Sequence, residues 1–469
     1  MATPVLALDT GATALYETVA DLPIVSPHGH CDPHWFAGDS PFSDPAALLV
    51  TPDHYVFRLL YSHGVSLGAL GIGPGAESDP RTVFRRFASH WHHFLGTPSG
   101  LWIGHTLRTQ FGYDGALNDE TADTVYDRID AALQTPALRP RALIEQMDVR
   151  VLATTDGALD DLAAHARVAA ETRGWRMVPT FRPDSVVNPE HPRFDTDLAA
   201  LESLTDLAII DIRSWCDALR ARRAHFLAHG ATATDHDVPH LHTQWLAEEQ
   251  ANRLFSRVRA GQASVAQRRE LYGHMLVELA LMSRDDGLVM QLHVGATRST
   301  NRALAEAYGP DMGADIPHRA DWVGGLDALL NVVGNDPSMR LIAFSLDESA
   351  YARELAPMAG HWPALRLGPP WWFHDSPNGI ARFFDQVVET AGYGNLAGFN
   401  DDTRAFLSIP ARHDLWRRCV ANHLAGQVAR GHFGRTDAEV LARRLSVDLA
   451  VDAYCLGPVM QAIDAERAA

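Results

Sequence analysis

The sequence predicts an α/β protein: a (β/α)8 TIM-type barrel with a helical insertion after its first strand. Short apolar runs recur along the chain, each closed by a polar or Gly-rich break and most followed by a helical pattern. Strands alternating with helices imply parallel pairing through crossover helices. Eight such runs favour a closed barrel over an open sheet, and 469 residues suit a barrel with insertions.

In chain order the runs are Leu22–Pro27, Val149–Thr154, Arg176–Thr180, Ala231–Thr234, Leu288–His293, Arg340–Ser345, Ala364–Leu367 and Leu396–Asn400. The fourth and seventh are short enough that periodicity alone does not separate strand from helix. Ala158–Arg173 carries apolar residues at helical spacing between the second and third runs. About 120 positions separate the first run from the second, far more than one crossover helix requires. Pro80–Gly96 within that gap looks helical, so residues 37–140 are expected to form a helical insertion over the barrel mouth. Residues 1–36 and 141–469 would then form the catalytic barrel. Extra helices are also expected between Asp235 and Asp286.

Composition narrows the function. Hydrophobic residues make up 46% of the chain and charged ones 21%, enough apolar material for a large core. The 40 basic residues stand against 58 acidic ones, a formal charge of −18 that disfavours nucleic acid and anionic membrane surfaces as partners. Lysine is absent, so every basic side chain is arginine. Schiff-base chemistry, a P-loop lysine and a carboxylated lysine bridging two metals are therefore excluded. Cys31, Cys216, Cys419 and Cys455 lie far apart, arguing against a disulfide framework and suiting a reducing cytoplasm. No run approaches the ~18 apolar residues that span a bilayer, and the first twenty residues lack an export signal. A cytoplasmic protein is expected, with its oligomeric state open, a homo-oligomer included.

His28-Gly29-His30 follows the first run directly. Side chains at i and i+2 on an extended segment point the same way, so two imidazoles can share one cation. His90-Trp91-His92 has the same spacing but lies in a helical pattern, where such positions diverge by ~200°. His240-Leu241-His242, near Asp235, His236 and Asp237, is a rival in an apparent loop without an apolar strand before it. Catalytic groups in barrels sit at the C-terminal ends of strands, which favours His28 and His30. The last run ends in Asn400-Asp401-Asp402-Thr403-Arg404. Barrel closure would bring one of these aspartates beside the first strand, leaving open positions on an ion held by two histidines and a carboxylate. The other aspartate would cap the following helix.

Other polar residues end strands in the same way. His293 and Arg298 close the fifth run, and Arg182 follows the third. Two guanidinium groups at the mouth of an acidic protein suggest an anionic substrate gripped through its carboxylate. His54 and Tyr55, inside the insertion, can deliver acid or base groups from a lid. Trp371-Trp372, after the seventh run, can form a stacking wall for a sugar face. Taken singly, packing or surface pairing is the default explanation of each of these residues.

The segments PHGHCDP, DHYVFRLLYSHGV, TTDGALDDL, PTFRPD, QLHVGATRSTN, GPPWWFHDS and NDDTRAFLSIPARHDLWRR together resemble the uronate (glucuronate) isomerases of the amidohydrolase superfamily, over essentially the whole chain. The resemblance implies isomerisation of D-glucuronate to D-fructuronate and of D-galacturonate to D-tagaturonate, within hexuronate catabolism. It implies one divalent metal, zinc, held by His28, His30 and Asp402. It places Arg404 two residues beyond Asp402, Arg182 and Arg298 on the substrate, and His54, Tyr55, Asp235, His293 and Trp372 around it. Two departures matter. The family pattern has one acidic residue before the arginine where Asp401 and Asp402 stand here, and TTDGALDDL lacks the second aspartate and the proline common in the family, which leaves Asp156 without a clear role. The expected chemistry is proton transfer through an enediolate, handled by Asp402 or Tyr55, with hydride transfer as its competitor. The alternative function is a mononuclear zinc hydrolase of the same superfamily.

Overall fold

A computed structural model describes residues 5–468. Its strands are β1 (Ile24–Ser26), β2 (Val149–Ala153), β3 (Asp156–Gly157), β4 (Arg176–Val178), β5 (Thr180–Arg182), β6 (Ala233–Val238), β7 (Val289–Val294), β8 (Ala296–Thr297), β9 (Ile316–Pro317), β10 (Leu341–Ser345) and β11 (Leu365–Leu367). Parallel pairing runs β1-β2-β4 in one sheet and β11-β10-β7-β6-β5-β3 in another. β3 continues the line of β2, and β5 continues that of β4 across Pro179, which has no N–H to donate to a ladder. The two sheets therefore join into one ring of consecutive parallel neighbours. β8 and β9 form a separate antiparallel pair outside it.

The ring closes through the last run. Leu367 bridges Leu396 in parallel, and the Ala397 N–H donates to the Leu367 carbonyl at 2.8 Å. At the far side the His30 N–H donates to the Thr403 carbonyl at 3.0 Å. The eight-membered (β/α) barrel is thus complete, but Leu396–Asn400 forms an isolated bridge rather than the regular strand its pattern predicts. Gly398 sits at φ +76°, and a Cβ there would lie 2.5 Å from the Ala450 amide nitrogen. That left-handed turn ends the ladder after one pair.

Side chains alternate as the pleat requires. Val289 of β7 points into the barrel with Val25, Val151, Val178, Ala233, Ile342 and Phe344, whereas Met290, Leu292 and Val294 pack against the outer helices. Inside, Gln291 donates to the Thr234 carbonyl at 3.2 Å and accepts from the Tyr454 hydroxyl at 2.9 Å. Tyr454 also takes a bond from Asn400 at 3.1 Å, so the C-terminal segment is fastened to the interior by a polar chain.

Between β1 and β2 the chain is helical in short pieces, among them Pro45–Leu49, His54–Ser62, Pro80–Ser89, Pro98–Thr109 and Ala122–Leu133. Asp44, Asp53, Asp79 and Thr97 each accept a first-turn backbone N–H, and three of the five helices open on proline. Pro80–Gly96 does not continue as one helix; it stops at Ser89 and tightens into the 3-10 turn Trp91–Phe94. Two long helices, Glu248–Arg259 and Val265–Asp286, fill the gap before β7. Among the described residues no helix is long and apolar enough to cross a membrane.

The fourth predicted strand, Ala231–Thr234, is displaced: β6 runs from Ala233 to Val238 and takes in Asp235, His236 and Asp237, which read as loop. Asp235 and Asp237 break the apolar pattern because their partners lie inside the barrel mouth, while His236 between them points to the opposite face. Asp235 meets His293 and Arg182, and His236 shares a 2.9 Å hydrogen bond with the Thr234 hydroxyl.

Candidate active site

A cavity of about 860 Å³ opens at the C-terminal ends of the strands. Every candidate site residue lines it: His28, His30, His54, Tyr55, Arg182, Asp235, His293, Arg298, Trp372, Asp402 and Arg404. Asp237, Asp311, Asp315, His191, Arg193 and Trp371 complete much of the wall.

Beyond β1 the chain stays extended through His28-Gly29-His30, and both imidazoles converge on one carboxylate. Asp402 Oδ1 lies 3.3 Å from His28 Nε2 and 2.9 Å from His30 Nε2. Asp401 turns the other way: its Oδ2 is 3.1 Å from His413 Nε2, and its carbonyl accepts from Arg412 at 3.2 Å. Asp402 reaches the cavity at φ +41°, an unusual conformation for a residue with a Cβ and one that active sites use to aim a side chain. Burial pushes the Asp402 carboxyl up, but the two imidazoles override it and hold it well below the ordinary range. Burial lowers the basicity of both histidines; next to Asp402 the net shift of His28 is upward, and that of His30 stays downward.

His293 joins this group. Its ring stacks on His28 at 4.7 Å and on Phe344 at 4.2 Å. Its Nδ1 meets Asp235 Oδ1 at 2.6 Å, while its Nε2 is buried without a partner. A carboxylate on one nitrogen fixes the tautomer and turns the other lone pair toward the cavity, the arrangement found behind metal-bound histidines. Ligand atoms of His28, His293 and Asp402 all lie within 4.8 Å of one another. Zinc–ligand bonds of 2.0–2.1 Å in a tetrahedron put donor atoms about 3.3 Å apart. The separations around Asp402 suit a single divalent ion, with His28, His293 and Asp402 as the mutually close group; His30 touches Asp402 but is not part of that group.

The arginines differ from their sequence reading. Arg182 donates from Nε to Asp184 at 2.7 Å and places Nη1 3.3 Å from Asp235. Arg298 is bound by Asp237 at 3.1 Å and Asp315 at 3.0 Å, with its guanidinium 5.1 Å above the Trp372 ring. Each thus faces two aspartates and contributes spare N–H donors rather than net positive charge. Arg404 has no carboxylate within 4.0 Å among the described residues, which makes it the cavity's uncompensated cation. Asp237 and Asp315 carried no sequence signal beyond Asp237's place in the apparent loop. Their role follows from strand pairing, with Asp237 opposite His293.

The insertion contributes His54 and Tyr55 from the first turn of His54–Ser62, held there because Asp53 accepts the Tyr55 N–H at 2.8 Å. Both ring nitrogens of His54 are buried without partners. Burial, then the charges of Arg404 and Arg58, keep this imidazole neutral, far below its ordinary pKa. Burial, reinforced by Asp375, pushes the Tyr55 phenol well up. Asp156 does not reach the cavity; it is buried against the Thr154 hydroxyl at 2.7 Å, which also meets His165 at 2.7 Å.

Comparison with known proteins shows the family. A family model described as glucuronate isomerase matches residues 2–451. A protein from Rhizorhabdus wittichii named uronate isomerase is 52% identical over 447 residues, covering 95% of each chain. Another of that name from Xanthomonas euvesicatoria pv. vesicatoria is 51% identical over 454 residues, again 95% of each. The crystal structure of glucuronate isomerase from Caulobacter crescentus superimposes with a TM-score of 0.94 at 45% identity, over 96% of this chain and 94% of that one.

Proposed function

The chain belongs to the glucuronate isomerase family, and from that premise we propose that this cavity isomerises D-glucuronate to D-fructuronate and D-galacturonate to D-tagaturonate by proton transfer. The observation that carries the proposal is one ionised carboxylate, one neutral imidazole and one protonated phenol converging beside an unpaired arginine. An aldose–ketose exchange needs a base at C2, donors for the oxygens, and positive charge where the enediolate develops.

Asp402 is the group suited to take the C2 proton and return it at C1, because it stays ionised while Tyr55 stays protonated. Asp402 Oδ1 faces the imidazoles, and Oδ2 has no hydrogen-bond partner among the described residues. His54 then donates to one substrate oxygen while the Tyr55 oxygen accepts from a substrate hydroxyl, which gives the orphaned His54 ring a partner. Arg404 stabilises the negative charge of the enediolate. The spare N–H groups of Arg182 and Arg298 orient the uronate carboxylate, and Trp372 backs Arg298. His28, His30 and Asp402, with His293 beside them, would hold a single zinc ion; when bound, it polarises substrate oxygens as a Lewis acid. A reducing, cytoplasmic setting suits the four free cysteines.

Solvent deuterium is the test of the proton route. Single-turnover conversion in D2O is expected to place deuterium at C1 of the ketose product. Its complete absence there would favour hydride transfer instead.

A further inference from the structure

Behind Tyr55 lies a buried pair of charges that none of this chemistry uses. Asp375, at the turn before the helix Pro377–Ala391, places Oδ2 3.4 Å from the Tyr55 hydroxyl. The same oxygen accepts from Arg412 Nη1 at 2.7 Å. Arg412 is only 3% exposed; it lies over the Trp102 ring at 3.4 Å and donates from Nε to Ser408 at 3.0 Å. Its Nη1 also donates to the carbonyl of Asp401, the residue before Asp402. One guanidinium therefore ties the turn supporting the Tyr55 hydroxyl to the segment carrying the carboxylate across the cavity.

A purely structural ion pair would use both carboxylate oxygens, since a buried charge left unsatisfied is expensive. Here Arg412 and Tyr55 both converge on Oδ2, and Oδ1 of Asp375 is buried with no partner at all. Well-packed apolar side chains would stabilise the fold at least as well. The arrangement makes sense if the carboxylate is kept for the phenol. Once Tyr55 donates its only O–H backward to Asp375, its oxygen lone pairs must face the cavity.

We propose that Asp375 and Arg412 are positioning residues for the isomerisation, acting through Tyr55: Asp375 sets the direction of the phenol's hydrogen, and Arg412 fixes Asp375 relative to Asp402. This rests on the role given above to Tyr55. At 3.4 Å the Tyr55–Asp375 contact lies at the long end of a hydrogen bond.

A double-mutant cycle between Asp375→Asn and Tyr55→Phe, with kcat and KM measured on D-glucuronate using metal-loaded full-length protein, tests the proposal. Asp375→Asn is expected to lower kcat by about tenfold or more with KM within about threefold. In the Tyr55→Phe background the same substitution should change kcat less than about twofold, because the group it acts through is gone. An equal loss in both backgrounds would reduce Asp375 to a structural residue and overturn the proposal. So would a kcat for Asp375→Asn within about twofold of native, or a fully active Tyr55→Phe. Should Asp375→Asn not fold, Asp375→Glu takes its place in the cycle with the same criteria. Native protein that isomerises no uronate would sink the functional reading itself, and that result is seen before any variant is assayed.

Discussion

At the scale of single residues the site is governed by where charge is allowed to settle. Asp402 carries its charge against burial because two imidazoles face it, and its φ of +41° aims it there. Asp402→Asn keeps the shape and removes the proposed base. Turnover of D-glucuronate is expected to fall about a hundred- to ten-thousand-fold, while Asp401→Asn should cost far less. Choosing between these two neighbours was the finest distinction asked of the sequence. Charge pattern alone did not settle it, since both are aspartates; the backbone turn that separates them is invisible in the residue string. Asp375 escaped notice for a related reason. An aspartate shortly before a helix reads as a cap, and its bond to Tyr55, 320 positions away, has no local signature. Asp156 supplies a pH-dependent prediction. Burial raises its carboxyl from 3.8 to about 7, so folding favours its protonated form. That contribution is complete below pH 4 and is lost as pH rises through about 7. Asp156→Asn is therefore expected to be nearly neutral near pH 4 and stabilising above pH 7, by about 1 to 4 kcal/mol. Denaturation midpoints across pH 4–8 check this, and a pH-independent difference would contradict it.

At the scale of elements, legibility followed burial. Predominantly apolar runs, such as β7 and β10, were plain, because a strand enclosed by barrel interior and outer helices is largely apolar; β7 stayed legible although Gln291 and His293 point into the barrel. β6 was half lost, since its mouth-facing residues are the polar groups of the site and break the pattern that identifies a strand. The last run was the reverse case: apolar enough to read as a strand, yet stopped by Gly398 after one bridge. Gly398→Ala should be destabilising by about 2 to 4 kcal/mol, combining strain at positive φ with the Ala450 clash. Because Asp402 is four residues on, activity should fall as well. Thermal unfolding and kcat measured on that variant report both, and an unchanged melting temperature would refute the role assigned to the glycine.

At the scale of the whole molecule, the surplus of acidic residues and the anionic substrate are reconciled locally rather than globally. Against a net charge of −18, Arg182 and Arg298 are matched by aspartates, and Arg404 alone of these three has no carboxylate partner among the described residues. The sequence found these arginines and Asp235 but not the pairing of Arg298 with Asp237 and Asp315, residues that strand pairing brings together across the mouth. It also foresaw helices between the first and second strands, from which His54 and Tyr55 reach the cavity. An ion bound to the folded form alone stabilises it by mass action. Adding zinc to metal-stripped protein is therefore expected to raise the melting temperature, and His28→Ala should abolish the rise. The most direct test is proton NMR of D-glucuronate with metal-loaded protein, alongside the Asp402→Ala variant. Resonances of the ketouronate should grow in with the native protein and be absent with the variant. Failure of the native protein to convert either D-glucuronate or D-galacturonate would contradict the account.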